Sequence, residues 1–403
     1  MLSDLAFDLA NNGERVTVIT SRQRYDAPNV VLPAKETIDG VEIFRVWTSR
    51  FGRQNLIGRS ADYLSFYVTA AWTLAQLARR GDIVIAKTDP PMLSVIAAPI
   101  ARMRGARLVN WLQDIFPEVA EALGVGGGSA SRLAFGLMRR LRNRSLRRAA
   151  INVAIGDGMA DRLRSFGIAT SQIRVIPNWA DGQTLQPVAA LENPLRPTWQ
   201  LSGKFAAGYS GNLGRAHEYE TLLDAIKHIE SAQSNLPGSA TTIPQIVWLF
   251  IGGGALFEEF KRAVQTRSLK SVQFQPYQPR DKLAESLSAA DVHLVSLRPE
   301  LEGLIVPSKF YGVAAVGRPT VFIGAKNGEI SRLLARAQCG NTVQTGDGAE
   351  LAKIILALAE NPENCSAMGA NARRMFENEF DKPIAMARWR SLLQDVCNPS
   401  TFI

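Results

Sequence analysis

Histidine and cysteine are almost missing from this 403-residue chain, with three of each. Cys339, Cys365 and Cys397 show no metal-ligand spacing, and an odd count without a paired framework fits a reducing cytoplasm rather than a disulfide scaffold. His217, His228 and His293 are too few and too scattered for a zinc cluster. None precedes position 217, so the first half of the chain cannot supply an imidazole base. Long apolar runs are missing as well. The best candidate, Tyr63 to Ala78, falls short of the ~20 apolar residues that span a bilayer. Ser65, Thr69, Thr73 and Gln76 interrupt it, so it reads as a buried or interface-lying helix. The opening Met1-Leu2-Ser3-Asp4 has neither the basic region nor the apolar run of a secretory signal.

What is present is apolar content of 46%, enough for a large core and, at this length, for two domains. A net charge of +9 points to an anionic partner: phosphate ligands, nucleic acid or a lipid surface. Short β-branched runs at Val16 to Thr20, Ile83 to Ala86, Leu108 to Leu112, Ile151 to Ile155 and Arg174 to Ile176 alternate with amphipathic stretches such as Met92 to Met103 and Met159 to Phe166. A second series runs through Phe205 to Ser210, Ile246 to Ile251, Val272 to Phe274, Val292 to Ser296, Thr320 to Ile323 and Thr342 to Gln344. This rhythm predicts an α/β chain of two Rossmann-like domains facing across a cleft. We expect an N-terminal domain over 1–180, a proline-interrupted linker over 181–201, a second domain over 202–380, and a C-terminal helix over 381–403 packing back on the first domain. The chain opens on a helical stripe, Leu2, Leu5, Ala6, Leu9 and Ala10, closed by Asn11-Asn12-Gly13. Doubly wound domains open on a strand, so the expectation is that a first strand and its glycine loop are missing from this N-domain.

Four loops follow strands of the second series. The first, Ala207 to Glu218, carries Gly211, Asn212, Gly214 and Arg215, whose glycines allow close backbone approach and whose arginine can clamp a phosphate. The second is Gly252-Gly253-Gly254, either an anion-facing nest or a tight turn. In the third, Phe274 to Pro279, Tyr277 and Gln278 can bracket a base, although rigid turn prolines explain the segment equally well. The fourth runs from Pro299 to Gly312 and ends in Ala315-Val316-Gly317-Arg318-Pro319. It places Glu300, Glu302, Gly303, Leu304 and Ser308 ahead of Lys309 at a helix start. Ligands of open α/β sheets bind at the carboxyl ends of strands, so four such loops on one edge point to a nucleotide diphosphate.

In this order, G-N-L-G-R, I-G-G-G, F-x-P-Y-x-P and E-G-L-I-V-P-S-K-F-Y-G with A-x-G-R-P resemble the donor domain of retaining glycosyltransferases of the family 4 type, with the GT-B fold. The chain is similar, more narrowly, to a bacterial branch that builds capsule, colanic acid or O-antigen polysaccharide; Gln113-Asp114-Ile115-Phe116-Pro117-Glu118 resembles that branch's N-domain segment. The resemblance implies that Arg215 and Lys309 neutralise the donor diphosphate as the glycosidic bond breaks. It implies that Glu302 or Glu300 holds sugar or ribose hydroxyls, that Tyr277 and Gln278 lie near the base, and that Asp114 lines the acceptor side. Two positions depart from the family pattern. Gly312 stands where a second glutamate is expected, and Thr221 where many relatives carry a lysine. The resemblance further implies retention at the anomeric carbon without a cofactor or bound metal; no D-x-D follows a strand, since Asp89 precedes Pro90-Pro91 and Asp157 stands between glycines.

Arg132 to Arg148 contains Arg139, Arg140, Arg142 and Arg147 among seven arginines, no acid, and leucines at 133, 137 and 141. A helix there would be amphipathic and would suit an anionic membrane surface. Aromatics are not interleaved with the arginines, which argues against nucleic acid. The expectation is therefore a peripheral enzyme at the inner face of the plasma membrane, moving sugar from a UDP-sugar to a polyprenyl-diphosphate-linked acceptor. The alternatives are a UDP-sugar 2-epimerase of the same architecture and a catalytically degenerate membrane-bound scaffold.

Overall fold

The structure, a computed structural model, describes residues 1–23, 32–51, 56–126, 128–234 and 245–398. It divides into two compact units, Met1–Pro177 with Met386–Ile403, and Asn178–Ala385. In the first unit the strands are β1 (Thr17–Ser21), β2 (Lys35–Ile38), β3 (Val41–Val46), β4 (Ile83–Lys87), β5 (Arg107–Trp111), β6 (Ile151–Ala154) and β7 (Ile173–Val175). In the second they are β8 (Phe205–Asn212), β9 (Ile246–Gly253), β10 (Val272–Gln275), β11 (Val292–Ser296), β12 (Thr320–Ile323) and β13 (Gly340–Val343). Every strand expected from the β-branched runs is present, with ends moved by a residue or two. The last one begins early, at Gly340, which pairs with Thr320 where a side chain would strike the Thr320 carbonyl at 1.9 Å; only glycine fits this strand position.

β2 and β3 were not expected. They pair antiparallel around Asp39-Gly40, both at positive φ, the geometry of a tight hairpin turn that Asp-Gly favours. β3 also pairs parallel with β1, giving the order β1-β3-β2, while β4-β5-β6-β7 form a separate parallel sheet. Strand β6 is buried throughout and β5 nearly so. The register sets Asn110 opposite Asn152, and the two amides meet at 2.8 Å inside the core. Trp389 and Arg390, on the helix Lys382–Cys397, belong to this unit; Trp389 packs edge-on against Trp111 and Arg390 pairs with Asp8.

The second unit is one parallel sheet ordered β10-β9-β8-β11-β12-β13. Numbered within the unit this is 3-2-1-4-5-6, the doubly wound order, whose switch point lies between β8 and β11. Its core gathers Trp248, Phe250, Phe260, Leu222, Ile226 and Ile355 from strands and flanking helices. Residues 181–201, expected as a linker, are packed into this unit. The prolines break their periodicity, but Arg196 is buried, paired with Asp291 at 3.0 Å and bonded to the Ala289 and Lys204 carbonyls, while Trp199 and Leu201 are core residues.

Candidate functional site

Lys309 opens the seven-residue helix Lys309–Ala315, and its side chain returns to the end of β8. There the ammonium meets the Tyr209 hydroxyl, the Asn212 carbonyl at 2.8 Å and His217 Nε2 at 3.3 Å, and sits 4.0 Å from the centre of the Tyr209 ring. Each partner is neutral. No carboxylate pairs with Lys309 among the described residues, and burial pushes its pKa down to about 7. The His217 tautomer follows from geometry. Nδ1 lies 2.6 Å from the Ser296 carbonyl, which only accepts, so Nδ1 carries the hydrogen and Nε2 accepts from Lys309. Burial, reinforced by the Lys309 charge, lowers the His217 pKa to about 4 and keeps the ring neutral. Burial raises that of Tyr209, whose hydroxyl donates to the Asn212 carbonyl at 3.3 Å.

The loops expected to converge do so. β8 and β9 run in register to their ends, Gly211 opposite Gly252 and Asn212 opposite Gly253. The three consecutive glycines are explained by this approach: a side chain on Gly252 would come within 2.4 Å of the Gly211 carbonyl, and one on Gly254 within 2.2 Å of Asn212 Oδ1. Gly214 lies beside the Asn212 amide. The Tyr277 ring lies against Gly252 and Gly253 at the end of β9 and is 59% exposed. Arg215 is exposed, with no side-chain partner among the described residues.

Other expected residues are placed differently. Glu302 Oε1 accepts the Glu329 N–H at 2.7 Å, and a side chain on Gly328 would meet Oε2 at 2.5 Å; this carboxylate therefore braces the start of the helix Glu329–Ala337. Burial raises its pKa. Glu300 is exposed and 3.6 Å from Arg298. Gln278 bonds the Pro276 carbonyl, Gly303 takes a positive φ that a side chain disfavours, Leu304 is buried, and Ser308 is exposed beside Lys309. Gly312 faces Leu287 and Leu185, so a glutamate there would enter an apolar contact. Thr221 is fully buried and accepts the Gly346 N–H at 2.7 Å, a place no lysine could occupy without burying its charge. Tyr209 and His217 were missed by sequence reading; the position of His217 two residues beyond Arg215 in a glycine loop was the available signal.

In the first unit, Asp114 follows β5. The Thr88 hydroxyl accepts the N–H groups of Gln113 at 2.9 Å and Asp114 at 3.4 Å. Burial pushes the Asp114 carboxyl up to about 6, against the lowering effect of its bond to Thr88, and Asp89 adds to the rise. The arginine helix Ser129–Arg148 requires a correction. Arg142 is buried, clasping Glu118 through both terminal nitrogens and stacking 4.3 Å from the Phe166 ring; Arg139 pairs with Glu118 and Glu121. Arg142 is therefore no surface cation, and half-exposed Arg139 has its charge neutralised by carboxylates. The acids that neutralise them come from the neighbouring helix Glu118–Ala122, outside the segment whose lack of acids suggested a membrane face. Arg140 and Arg147 are exposed.

The doubly wound second unit carries these loops at its strand ends, where open α/β sheets bind ligands, and comparison with known proteins gives the class of the chain. A glycosyl transferase 4-like domain matches residues 1–179 and a glycosyl transferases group 1 domain matches residues 195–375. The chain belongs to the GT-B glycosyltransferases of the family 4 type. It is 25% identical over 385 residues to the probable glycosyltransferase WbjE of Pseudomonas aeruginosa, covering 96% of this chain and 91% of that protein. It is 27% identical over 242 residues to the putative colanic acid biosynthesis glycosyl transferase WcaI of Escherichia coli K12, covering 58% and 55% of the two. Sucrose-phosphate synthase from Thermosynechococcus elongatus superposes with a TM-score of 0.77 at 18% identity, over 98% of this chain and 92% of that one. Anabaena HepE, solved with UDP and glucose, superposes with a TM-score of 0.70 at 17% identity, over 98% and 95%. Both domain matches are to transferases, so the epimerase and the inactive scaffold are set aside.

Proposed function

We propose that this glycosyltransferase moves a sugar from a UDP-sugar, with retention at the anomeric carbon, to a polyprenyl-diphosphate-linked acceptor during bacterial surface-polysaccharide assembly at the inner face of the plasma membrane. The observation that carries the donor assignment is Lys309. It is a half-buried cation at the switch point of the sheet, held by three neutral groups and with no carboxylate partner among the described residues. A diphosphate supplies that negative charge. Arg215, exposed in the adjoining loop, supplies the second cation, and the exposed aromatic ring of Tyr277 at the same strand ends suits a base. UDP in the HepE structure and the colanic acid assignment of WcaI belong to those proteins and support the same reading here.

The chemistry then needs little else from the chain. As the bond from the anomeric carbon to the diphosphate oxygen breaks, negative charge grows on the leaving oxygen, where Lys309 and Arg215 stabilise it. The acceptor hydroxyl forms its new bond on the same face and its proton passes to that phosphate oxygen, releasing UDP. The two cations take the charge-neutralising role without a resident metal. Asp114 is assigned, as the resemblance implies, to the acceptor side. Glu300, exposed, is a better partner for donor hydroxyls than Glu302, whose Oε1 is already engaged.

Calorimetric titration with UDP and UDP-sugars tests the donor site. Lys309→Ala and Arg215→Ala are each expected to weaken UDP binding roughly ten- to a hundredfold, the loss of one charge-assisted hydrogen bond. No binding by the unaltered protein, or unchanged binding by both variants, would overturn the assignment.

A further inference from the structure

The leucine stripe of the helix Ser129–Arg148 is turned outward rather than into the core. Leu133, Leu137 and Leu141 are 78, 57 and 40% exposed, while the buried side of the helix is Phe135, Arg142, Ser145 and Leu146. Arg140 and Arg144 are exposed, each three positions after Leu137 and Leu141 respectively, so cations and leucines share the outward face. A second stripe with the same spacing stands on the helix Leu56–Leu77, where Leu64, Val68 and Trp72 are 64, 63 and 69% exposed. The helix Leu93–Arg104 lies between these two and packs against both. Its inward side is Ala97 and Ala101 against Ala86, Leu108 and Ala149, and its outer end exposes Met103 between Arg102 and Arg104.

Three neighbouring helices of one unit thus present apolar side chains outward. The exposed charges on them are arginines; the one acid, Asp62, is half-buried and accepts from Ser49 and the Phe51 N–H. We propose that this three-helix face docks on an anionic phospholipid bilayer. Leu64, Val68, Trp72, Met103, Leu133 and Leu137 enter the boundary between headgroups and acyl chains, and Arg102, Arg104, Arg140 and Arg144 meet lipid phosphates. Tryptophan is at home at that depth, and helices lying in the interface combine this apolar face with flanking arginines. Charge selects the bilayer over a second copy of the chain. A two-fold contact through this face would set arginines against arginines, whereas an anionic leaflet neutralises them.

The proposal deepens the membrane clause of the proposed function, and its test requires neither donor nor acceptor. Full-length protein is sedimented with phosphatidylglycerol–phosphatidylethanolamine vesicles and with pure phosphatidylcholine vesicles. The expectation is binding to the first and little to the second. A combined Leu64→Ser, Trp72→Ser, Leu137→Ser variant should partition about tenfold less onto anionic vesicles, as should Arg140→Glu with Arg144→Glu. Both should melt as the parent does. Equal partitioning by the apolar variant overturns the proposal, as does failure of the parent to bind either vesicle. A dimer in solution that these substitutions dissociate would identify a second copy as the occupant and overturn it too. UDP titration of the same samples is read separately, so loss of vesicle binding with UDP binding intact leaves the donor assignment standing.

Discussion

Lys309 is where the environment of a single residue predicts behaviour. With its pKa near 7, its charge is lost as pH rises through neutrality. Its affinity for a diphosphate is therefore greatest below pH 7 and should fall by up to about tenfold per unit above it. Binding above pH 7 should take up a proton, seen as a dependence of the calorimetric heat on buffer ionisation enthalpy, and Lys309→Arg should flatten the slope. His217, neutral down to about pH 4, adds nothing to that slope. Stability carries the opposite sign. A lysine whose folded pKa lies below its ordinary 10.5 destabilises the fold most at and below pH 7, and the penalty fades as pH rises toward 10.5. Lys309→Met should accordingly raise the melting temperature at neutral pH while abolishing UDP binding. Lys309 was legible in the sequence because a lysine after a glycine-punctuated loop is a local pattern. Tyr209 and His217 were not, since they stand 100 and 92 residues earlier and look like an ordinary core tyrosine and a stray loop histidine.

Among the elements, the arginine helix separates residues that sequence reading treated alike. Arg142 is buried in a bidentate pair with Glu118, and Arg140, two residues earlier and so on the opposite side of the helix, faces solvent. Removing one partner of a buried pair strands the other, so Arg142→Ala should cost about 3–5 kcal/mol of unfolding free energy. Arg140→Ala should stay within about 0.5 kcal/mol. Denaturant titration of the two variants checks the contrast. The helix itself was readable from its four-residue leucine spacing, but periodicity reports that two faces differ, not which is covered. The β2–β3 hairpin was missed although Asp39-Gly40 advertised it, because the surrounding strands are short and only partly buried.

For the molecule as a whole, the division of the chain matters more than its length. Residues from Met386 onward belong with the first unit, to which they contribute Trp389 against Trp111, Arg390 on Asp8 and the Val396 carbonyl that accepts from Arg107. A chain ending at Ala385 should lose about 3–5 kcal/mol from the first unit through the vacated tryptophan site alone. Scanning calorimetry should then show an earlier transition while UDP titration remains within about twofold of the parent, since the groups assigned to the donor lie in the second unit.

The sequence by itself determined the alternation of strands and helices, the glycine loops at strand ends and the kinship with glycosyltransferases. Each of these depends on neighbours along the chain: side-chain period, β-branching, and backbone freedom at glycine. The tertiary structure decided which charges are used and which are hidden. Glu302 is taken up by a helix start 27 residues on, and Arg142 by a glutamate 24 residues back. Lys309 is held at the end of a strand it never adjoins in sequence, because the doubly wound order sets β8 beside β11. Proximity of that kind is a property of sheet order and register, which no local pattern encodes.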